Sequence, residues 1–406
     1  MKIRLTDEHW GRWQWMCIVM LAVVGGFGAG LWVQYLRYEG DRGGKETAGE
    51  LVVEEEPEPE VVSGGGKMMM TGNIFWGRQI NTWSRASELS VAYPFSGLAS
   101  FEREEYTDWI AGLECPVVDK GGVHSEYDEY TLLKFNCDPD YLPEAAKWFS
   151  VVSLGNNHTD NQGVKGWAET KEHLKSAGIQ YFGHYDYRDT AEVCNVVAIG
   201  VKWEMSDGSE QEGKIPIGMC GWNGVYGIPT EASLAVMKAY AEVMPVIAMP
   251  HMGKEYVASH DSLRQNLYRK MIDYGAEMVI GDHSHWVQDT EAYQGRLIVY
   301  SMGNFMFDQR WELEVLRSAA IEVEFSVDAD AAGWGEVVEE CVGDFERCRE
   351  VVAEKGLEKY AVVWGFGVKG SYTRNGVTGL AEAGVQKGVE ERLKWAETVK
   401  GLGGAL

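Results

Sequence analysis

GAEMVIGDHSHWVQDTEAYQGRLIVYSMGNFMFD, residues 275–308, contains two short apolar runs that each end in polar residues. EMVI leads into Asp282, His283 and His285, and RLIVYS leads into Asn304. A short apolar run bounded by turn-forming residues reads as a buried strand. The same construction recurs upstream. KMMMTGNIF ends near Asn73, DWIAGLECP near Glu114, FSVVSLGNNH at Asn157 and His158, and PVIAMPHMG at His251. IQYFGH, NVVAIGV and KIPIGMCGW supply further strands. Between them, a helix is predicted from Gln162 to Ala177, closing at Gly178. The amphipathic stretch SLRQNLYRKMIDYGA ends a second helix at Gly275. Alternating strands and helices predict an α/β domain with helices packed over one or two sheets. No fixed-period repeat is evident.

Ligands in α/β sheets collect outside the carboxyl ends of the strands, so the polar residues that follow each run are predicted to share one rim. An H-x-H pair such as His283 and His285 is often plain surface histidine. Here it belongs to a series in which His158 and His251 also follow strand-like runs. Imidazole, carboxylate and amide oxygen together suit Zn²⁺, Mn²⁺ or Fe better than Mg²⁺ or Ca²⁺. In Asn156-Asn157-His158, an amide oxygen can reach a metal while the imidazole faces a bound oxyanion. The plain alternative is an Asn-rich turn.

The rest of the chain limits where such a site can work. With 37 Lys and Arg against 62 Asp and Glu, the net charge is −25. Nucleic acid is bound largely by neutralising phosphates with basic side chains, so this balance argues against it. An anionic polymer would also be repelled unless metal ions or a basic patch intervene. WQWMCIVMLAVVGGFGAGLWVQYL, residues 13–36, is long and apolar enough to span a bilayer, with Trp13, Trp15, Trp32 and Tyr35 near its ends. It is predicted to be an uncleaved transmembrane helix with residues 1–12 cytoplasmic and the main domain outside. Lys2, Arg4 and Arg12 before the span nearly balance Arg37, Arg42 and Lys45 after it. Residues 37–67, rich in Glu, Pro and Gly, are predicted to form an extended acidic tether. The main domain is expected over residues 68–327, followed by an α+β extension over 328–406. In that extension one helical stretch, EVVEECVGDFERCREVVAEKGLEK, precedes a strand, YAVVWGFGVKGSYT, and a last helix near Glu382 to Val399. Beyond Cys17 lie six cysteines whose spacings match no metal motif. Buried free thiols with at most one bridge are expected.

TGNIFWGR, AGLECP, GNNHTDNQGVKGWAETKEHLKSAGIQYFG, HMGKEY and the 275–308 block occur in the order found in the CapA family of bacterial capsule (poly-γ-glutamate) synthesis proteins. The chain resembles that family, which is related to the calcineurin-like metallophosphatases, over residues 68–310. The resemblance implies a metallophosphatase-like α/β sandwich behind an N-terminal transmembrane helix. It implies metal ligands at Asn73, Glu114, Asn157, His251, His283 and His285, with one or two divalent ions. His158 becomes the catalytic group at a leaving oxygen. Arg78 is expected at an anionic substrate group, and Asn304 and Glu255 in substrate-binding or loop-positioning roles. One departure stands out: the family has Asp where this chain has Asn73, and Glu114 and Asp282 are candidates to compensate. The implied function is synthesis or export of an anionic capsule polymer from the cell membrane, alongside other membrane components of a synthesis complex. Alternatives are a metal-dependent hydrolase of phosphoester or amide bonds in an envelope polymer, and a non-catalytic binding protein with a degenerate site.

Overall fold

The computed structural model describes residues 58–119, 131 and 133–403, together with two short paired strands, Leu36–Arg37 and Val52–Val53. Those strands fall in a unit comprising Met1–Glu60; the domain described below is the second unit, Val61–Leu406. The span expected over residues 13–36 lies, apart from Leu36, outside the described residues. Among the described residues no helix is long and apolar enough to cross a membrane.

The domain is organised around one long strand, β1 (Val61–Ile74), buried without interruption from Met68 to Ile74. Side chains alternate across a strand, so Met68 and Met70 enter one hydrophobic core and Met69 enters the other. Val61–Gly66 belong to this strand rather than to the acidic tether expected to run to residue 67. The reason is packing. A Cβ on Gly64 would sit 2.4 Å from the Trp203 ring and one on Gly66 2.7 Å from the Phe325 ring, so the glycines leave the space those rings fill.

After helix α1 (Arg78–Ala86), strands β2 (Asp108–Leu113), β3 (Val151–Ser153) and β4 (Gln180–Phe182) add in parallel on one side of β1. Helix α2 (Gly163–Ser176) links β3 to β4, within a residue of the expected helix. Strand β5 (Cys194–Met205) pairs antiparallel with the start of β1 and with β6 (Glu210–Asn223). Helix α3 (Glu231–Val243) returns the chain to β7 (Val246–His251), parallel to β6. Helix α4 (Ser262–Asp273) then leads to β8 (Met278–Ile280), parallel to β7. The hairpin β9 (Thr290–Tyr293) and β10 (Arg296–Val299) closes that edge, and β11 (Asn304–Met306) returns beside the end of β1. Among the described residues the strands form one 14-stranded sheet in which β1 is shared by two branches. Its parallel connections bring the carboxyl ends of β1, β2, β3, β6, β7 and β8 to the same rim.

Residues after 327 continue the same sheet. β12 (Arg317–Asp328) pairs with β1 on one side and over ten residues with β13 (Val363–Arg374) on the other; β14 (Val377–Leu380) completes a hairpin. The helical stretch expected from 336 to 359 is two helices, α5 (Ala332–Cys341) and α6 (Phe345–Lys355), broken at Gly343 with φ 77°. The expected last helix is likewise cut: α7 (Ala383–Leu393) stops at Lys394, whose φ is 55°.

The cysteines correct the sequence expectation. All six beyond the N-terminal stretch are paired, as Cys115–Cys137, Cys194–Cys220 and Cys341–Cys348. Each bridge ties elements the fold already adjoins. Cys194 and Cys220 face each other across the β5–β6 ladder, and Cys341–Cys348 clamps the break between α5 and α6. Sequence spacing carries no information on such partners, because cross-strand register is set by packing. Cys115 directly follows Glu114, and its bridge closes a separation of 22 residues. Replacing Cys115 and Cys137 together by Ser is expected to cost about 3 kcal/mol in denaturant unfolding. An unchanged midpoint would show that the bridge adds nothing to the fold.

Candidate metal centre

The polar residues at the shared rim converge on one buried pocket. Asn157 follows β3, His251 ends β7, and His283 follows β8. Asn157 Oδ1 lies 2.8 Å from His251 Nε2, and His283 Nδ1 lies 3.1 Å from the same nitrogen. Asn157 and His283, from two other strands, thus each bring a potential ligand atom against the same His251 nitrogen. Beside them, His285 Nε2 lies 3.9 Å from Glu114 Oε1, and His283 Nε2 lies 3.9 Å from the half-exposed Glu255. Asn73 lies one residue before the end of β1, where its backbone pairs with Asn304 on β11 and with Gly112 on β2.

The backbone is bent to achieve this. His283 and His285 occupy left-handed conformations, with φ 96° and 58°. For residues other than glycine such angles are uncommon and cost about 1–3 kcal/mol each. The pair flanks the fully buried Ser284, so the two rings reach the pocket from a doubly reversed turn. The end of β7 is latched to this turn. Met252 N–H donates to the Asp282 carbonyl at 3.2 Å, and Asp282 N–H donates to the Pro250 carbonyl at 3.1 Å.

Asn304, expected as a substrate contact, has its amide engaged at both ends inside the protein. Its Nδ2 donates to Gln309 Oε1 at 3.0 Å, and Gln309 Nε2 in turn donates to the Tyr256 hydroxyl at 2.9 Å. That chain of donors leaves Asn304 Oδ1 to accept from His285 Nδ1 at 2.7 Å. His285 therefore carries its proton on Nδ1 and turns an unprotonated Nε2 toward Glu114. Tyr256 also stacks on the His285 ring. Arg78 is ion-paired with Asp308 and packed on the rings of Phe75, Phe135 and Phe307. His158 stacks on Phe135, with Nδ1 3.0 Å from Asn161 Oδ1. Burial lowers its pKa to about 4, against the raising effect of Asn161, so the ring is neutral near pH 7.

The electrostatics of the pocket are set by burial. Glu114 is 1% exposed and Asp282 4%. No carboxylate oxygen of either, and neither end of the Asn73 amide, completes a hydrogen bond with the described residues. Burial, and for Glu114 also the charge of Asp282, pushes both carboxyls well above the ordinary range; the His283 backbone N–H only partly offsets this at Asp282. Burial holds the His251 and His283 imidazoles well below theirs, and that of His285 at about 4. Carboxylates that cannot ionise comfortably beside imidazoles that cannot be protonated match a site whose counter-charge is a cation. The donor set of carboxylate, imidazole and amide oxygen fits a divalent transition metal. Sequence reasoning did not single out Asp308 and Tyr256, which sit within the quoted motifs, or Gln309, which directly follows one; their supporting roles appear only in three dimensions. A separate group, Asp119, Glu169 and His173, also gathers three ligand atoms within 4.8 Å, but its carboxylates face solvent.

The chain belongs to the bacterial capsule synthesis protein PGA_cap family, whose sequence model matches residues 67–309. It is similar to the capsule biosynthesis protein CapA of Bacillus anthracis, with 26% identity over 60% of each chain. It is also similar to the PGA biosynthesis protein CapA of Bacillus subtilis (strain 168), with 29% identity over 40% of this chain and 44% of that one. The chain thus spans 60% and 44% of the lengths of these relatives, less than two thirds of each. Among solved structures, the TT1561 protein of Thermus thermophilus aligns over 63% of this chain and 93% of its own, at 11% identity and a TM-score of 0.32.

Adding Mn²⁺ or Zn²⁺ to chelator-treated protein is expected to raise its melting temperature. A ligand at about 1,000 times its Kd contributes about 4 kcal/mol. His251→Ala is expected to remove most of that rise. No shift with either metal or with Fe²⁺ would mean that the pocket is not a metal site.

Proposed function

We propose that this protein acts at the outer face of the cell membrane in synthesis or export of a capsule polymer of the poly-γ-glutamate type, through a divalent-metal site in its main domain. The observation that carries the metal part is the pair of buried carboxylates, Glu114 and Asp282, lacking hydrogen-bond partners among the described residues beside three neutral imidazoles. The family match over residues 67–309 supports the polymer part. Three disulfides support an oxidising, extracytoplasmic setting, where such bridges persist. Residues 13–36 are the proposed lipid-embedded anchor, and other membrane components of the synthesis apparatus and the anionic polymer itself are the proposed partners.

Within the site, Asn157, His251 and His283 would hold one ion, and Asn73, Glu114 and His285 would hold a second. Such a two-ion arrangement is what the resemblance to metallophosphatase-like proteins implies. When bound, such ions supply Lewis-acid polarisation of a phosphoryl or carbonyl oxygen and a water of lowered pKa. The protein's own residues set the geometry. Asn304 fixes the His285 tautomer, Asn156 accepts the His158 backbone N–H at 2.7 Å and shapes the turn carrying Asn157, and the Arg78–Asp308 pair braces the aromatic wall behind His158. His158 lies next to Asn157; with the proton of its neutral ring held on Nδ1 against Asn161 Oδ1, its Nε2 is unprotonated and would serve a leaving or attacking oxygen by taking up a proton there. A second reading, hydrolysis of a phosphoester or amide bond in an envelope polymer, is favoured by the division of the ligands into two adjacent sets, as two-metal hydrolysis requires.

In cells depleted of this protein, the full-length chain is expected to restore surface polymer, whereas His251→Ala with His283→Ala is expected to leave it at background. Membrane levels of both forms are to be matched by immunoblot. Full restoration by the double variant would sink the proposal that the site serves polymer formation. Release of nitrophenol from bis(p-nitrophenyl) phosphate by Mn²⁺-loaded wild type, lost in His283→Ala, would select the hydrolytic reading.

A further inference from the structure

The pocket contains an amide, Asn73, where a second cation most needs a negative ligand, and a carboxylate, Asp282, that the ligand sets above leave unassigned. A single feature of β2 links them. A Cβ built on Gly112 would lie 3.1 Å from Asp282 Oδ2 and 3.3 Å from Asn73 Oδ1, with no other heavy atom within 4 Å. The two oxygens therefore border the same methyl-sized volume, and Gly112 floors it. Neither oxygen has a hydrogen-bond partner among the described residues. The ladder places Gly112 opposite Asn73, and Glu114 follows two residues later at the end of the same strand. Asp282 reaches the volume from the opposite branch of the sheet, where its backbone bridges to His251.

We propose that Asp282 is itself a metal ligand, sharing with Asn73, Glu114 and His285 a cation position floored by Gly112 and supplying the negative charge that the Asn73 amide cannot. The assignment rests on the metal-site reading above and extends it to a ligand from a different strand. A purely structural role for Asp282, holding the 281–285 turn, would rest on the His283 backbone N–H alone, which only partly offsets the burial of a carboxylate whose oxygens complete no hydrogen bond of ordinary geometry with the described residues. Charge bookkeeping points the same way. The Asn157, His251 and His283 set is neutral, so Glu114 alone would leave two divalent ions with a residual charge of +3 (4 − 1). Asp282 reduces it to +2.

The test uses the full-length protein in detergent, stripped with chelator, then equilibrated with Mn²⁺ and assayed for tightly bound metal by elemental analysis and for melting temperature. Wild type is expected to hold two equivalents and Asp282→Asn one. The second is expected to bind at least about 100-fold more weakly, since even residues behind the ligands cost about 10–100-fold. Asn73→Asp in the Asp282→Asn background is expected to restore the second equivalent, because the charge is moved to the other side of the same volume. Gly112→Ala, whose methyl meets only those two side-chain oxygens, is expected to fold and to lose the same equivalent. In chelator, Asp282→Asn is expected to melt no lower than wild type, as a buried carboxyl is replaced by an amide that never ionises. Two equivalents at unchanged affinity in Asp282→Asn, or failure of Asn73→Asp to rescue, would overturn the assignment while leaving the metal site standing. A wild type that takes up no Mn²⁺ or Zn²⁺ would overturn both.

Discussion

Glu114 and Asp282 are carried into the interior on the ends of two different strands, with their oxygens left without donors among the described residues. Taking a carboxylate out of water costs several kcal/mol even after relaxation, and two together add their mutual repulsion. A protein optimised only for stability would hydrogen-bond these groups or replace them. Instead the surroundings are arranged to preserve the problem. Three imidazoles are kept neutral by burial, and the His283–His285 turn is held in left-handed backbone conformations. Strain and buried carboxyls in one place are understandable if the pocket holds a cation, whose binding free energy offsets both.

Holding such a pocket requires a rigid frame, and β1 provides it. The strand is buried on both faces near the site, belongs to both branches of the sheet and carries Asn73 one residue before its end. Close approach is possible because of glycine. A Cβ on Gly72 would fall 1.9 Å from the Gly303 carbonyl, so β1 can lie against the start of β11 only with no side chain there. That contact sets Asn73 beside Asn304, and through Asn304 it sets the orientation of His285. Fold and site are thus coupled through backbone spacing as well as through the ligands.

Much of this was legible in the sequence because strand ends have a recognisable chemistry. An apolar run followed at once by Asn, Glu or His marks a rim residue, and Asn73, Glu114, Asn157, His251, His283 and His285 all lie at the rim of the parallel strands. Helix α2 was readable from its periodicity and its closing Gly178. What stayed hidden depends on relations between distant segments. The pairing of six cysteines follows from strand register and helix packing. The start of β1 at Val61 was masked by a glycine run that composition reads as tether, although the glycines are there to admit Trp203 and Phe325. The supporting chain from Tyr256 through Gln309 to Asn304 joins residues up to about fifty positions apart and has no local signature.

The charge distribution ties the proposed site to the proposed substrate. A chain of net charge −25 repels a polyanion at the distances where screened fields still act, about 8 Å at physiological ionic strength. The two cationic side chains beside the site, Arg78 and Arg264, are ion-paired with Asp308 and Asp261. In the proposed reading, the positive potential at the rim therefore comes from bound ions. With Glu114 and Asp282 as the anionic ligands, two divalent ions leave the pocket at +2 (4 − 2), inside an otherwise acidic surface. Without them the same pocket is neutral if both carboxyls are protonated, and negative if either is ionised. Metal loading would then decide whether an anionic group is drawn in at all, before any question of bond cleavage arises. A site of this kind can discriminate sharply between the mouth of the pocket and the rest of the protein, because the attraction is local and the repulsion is general.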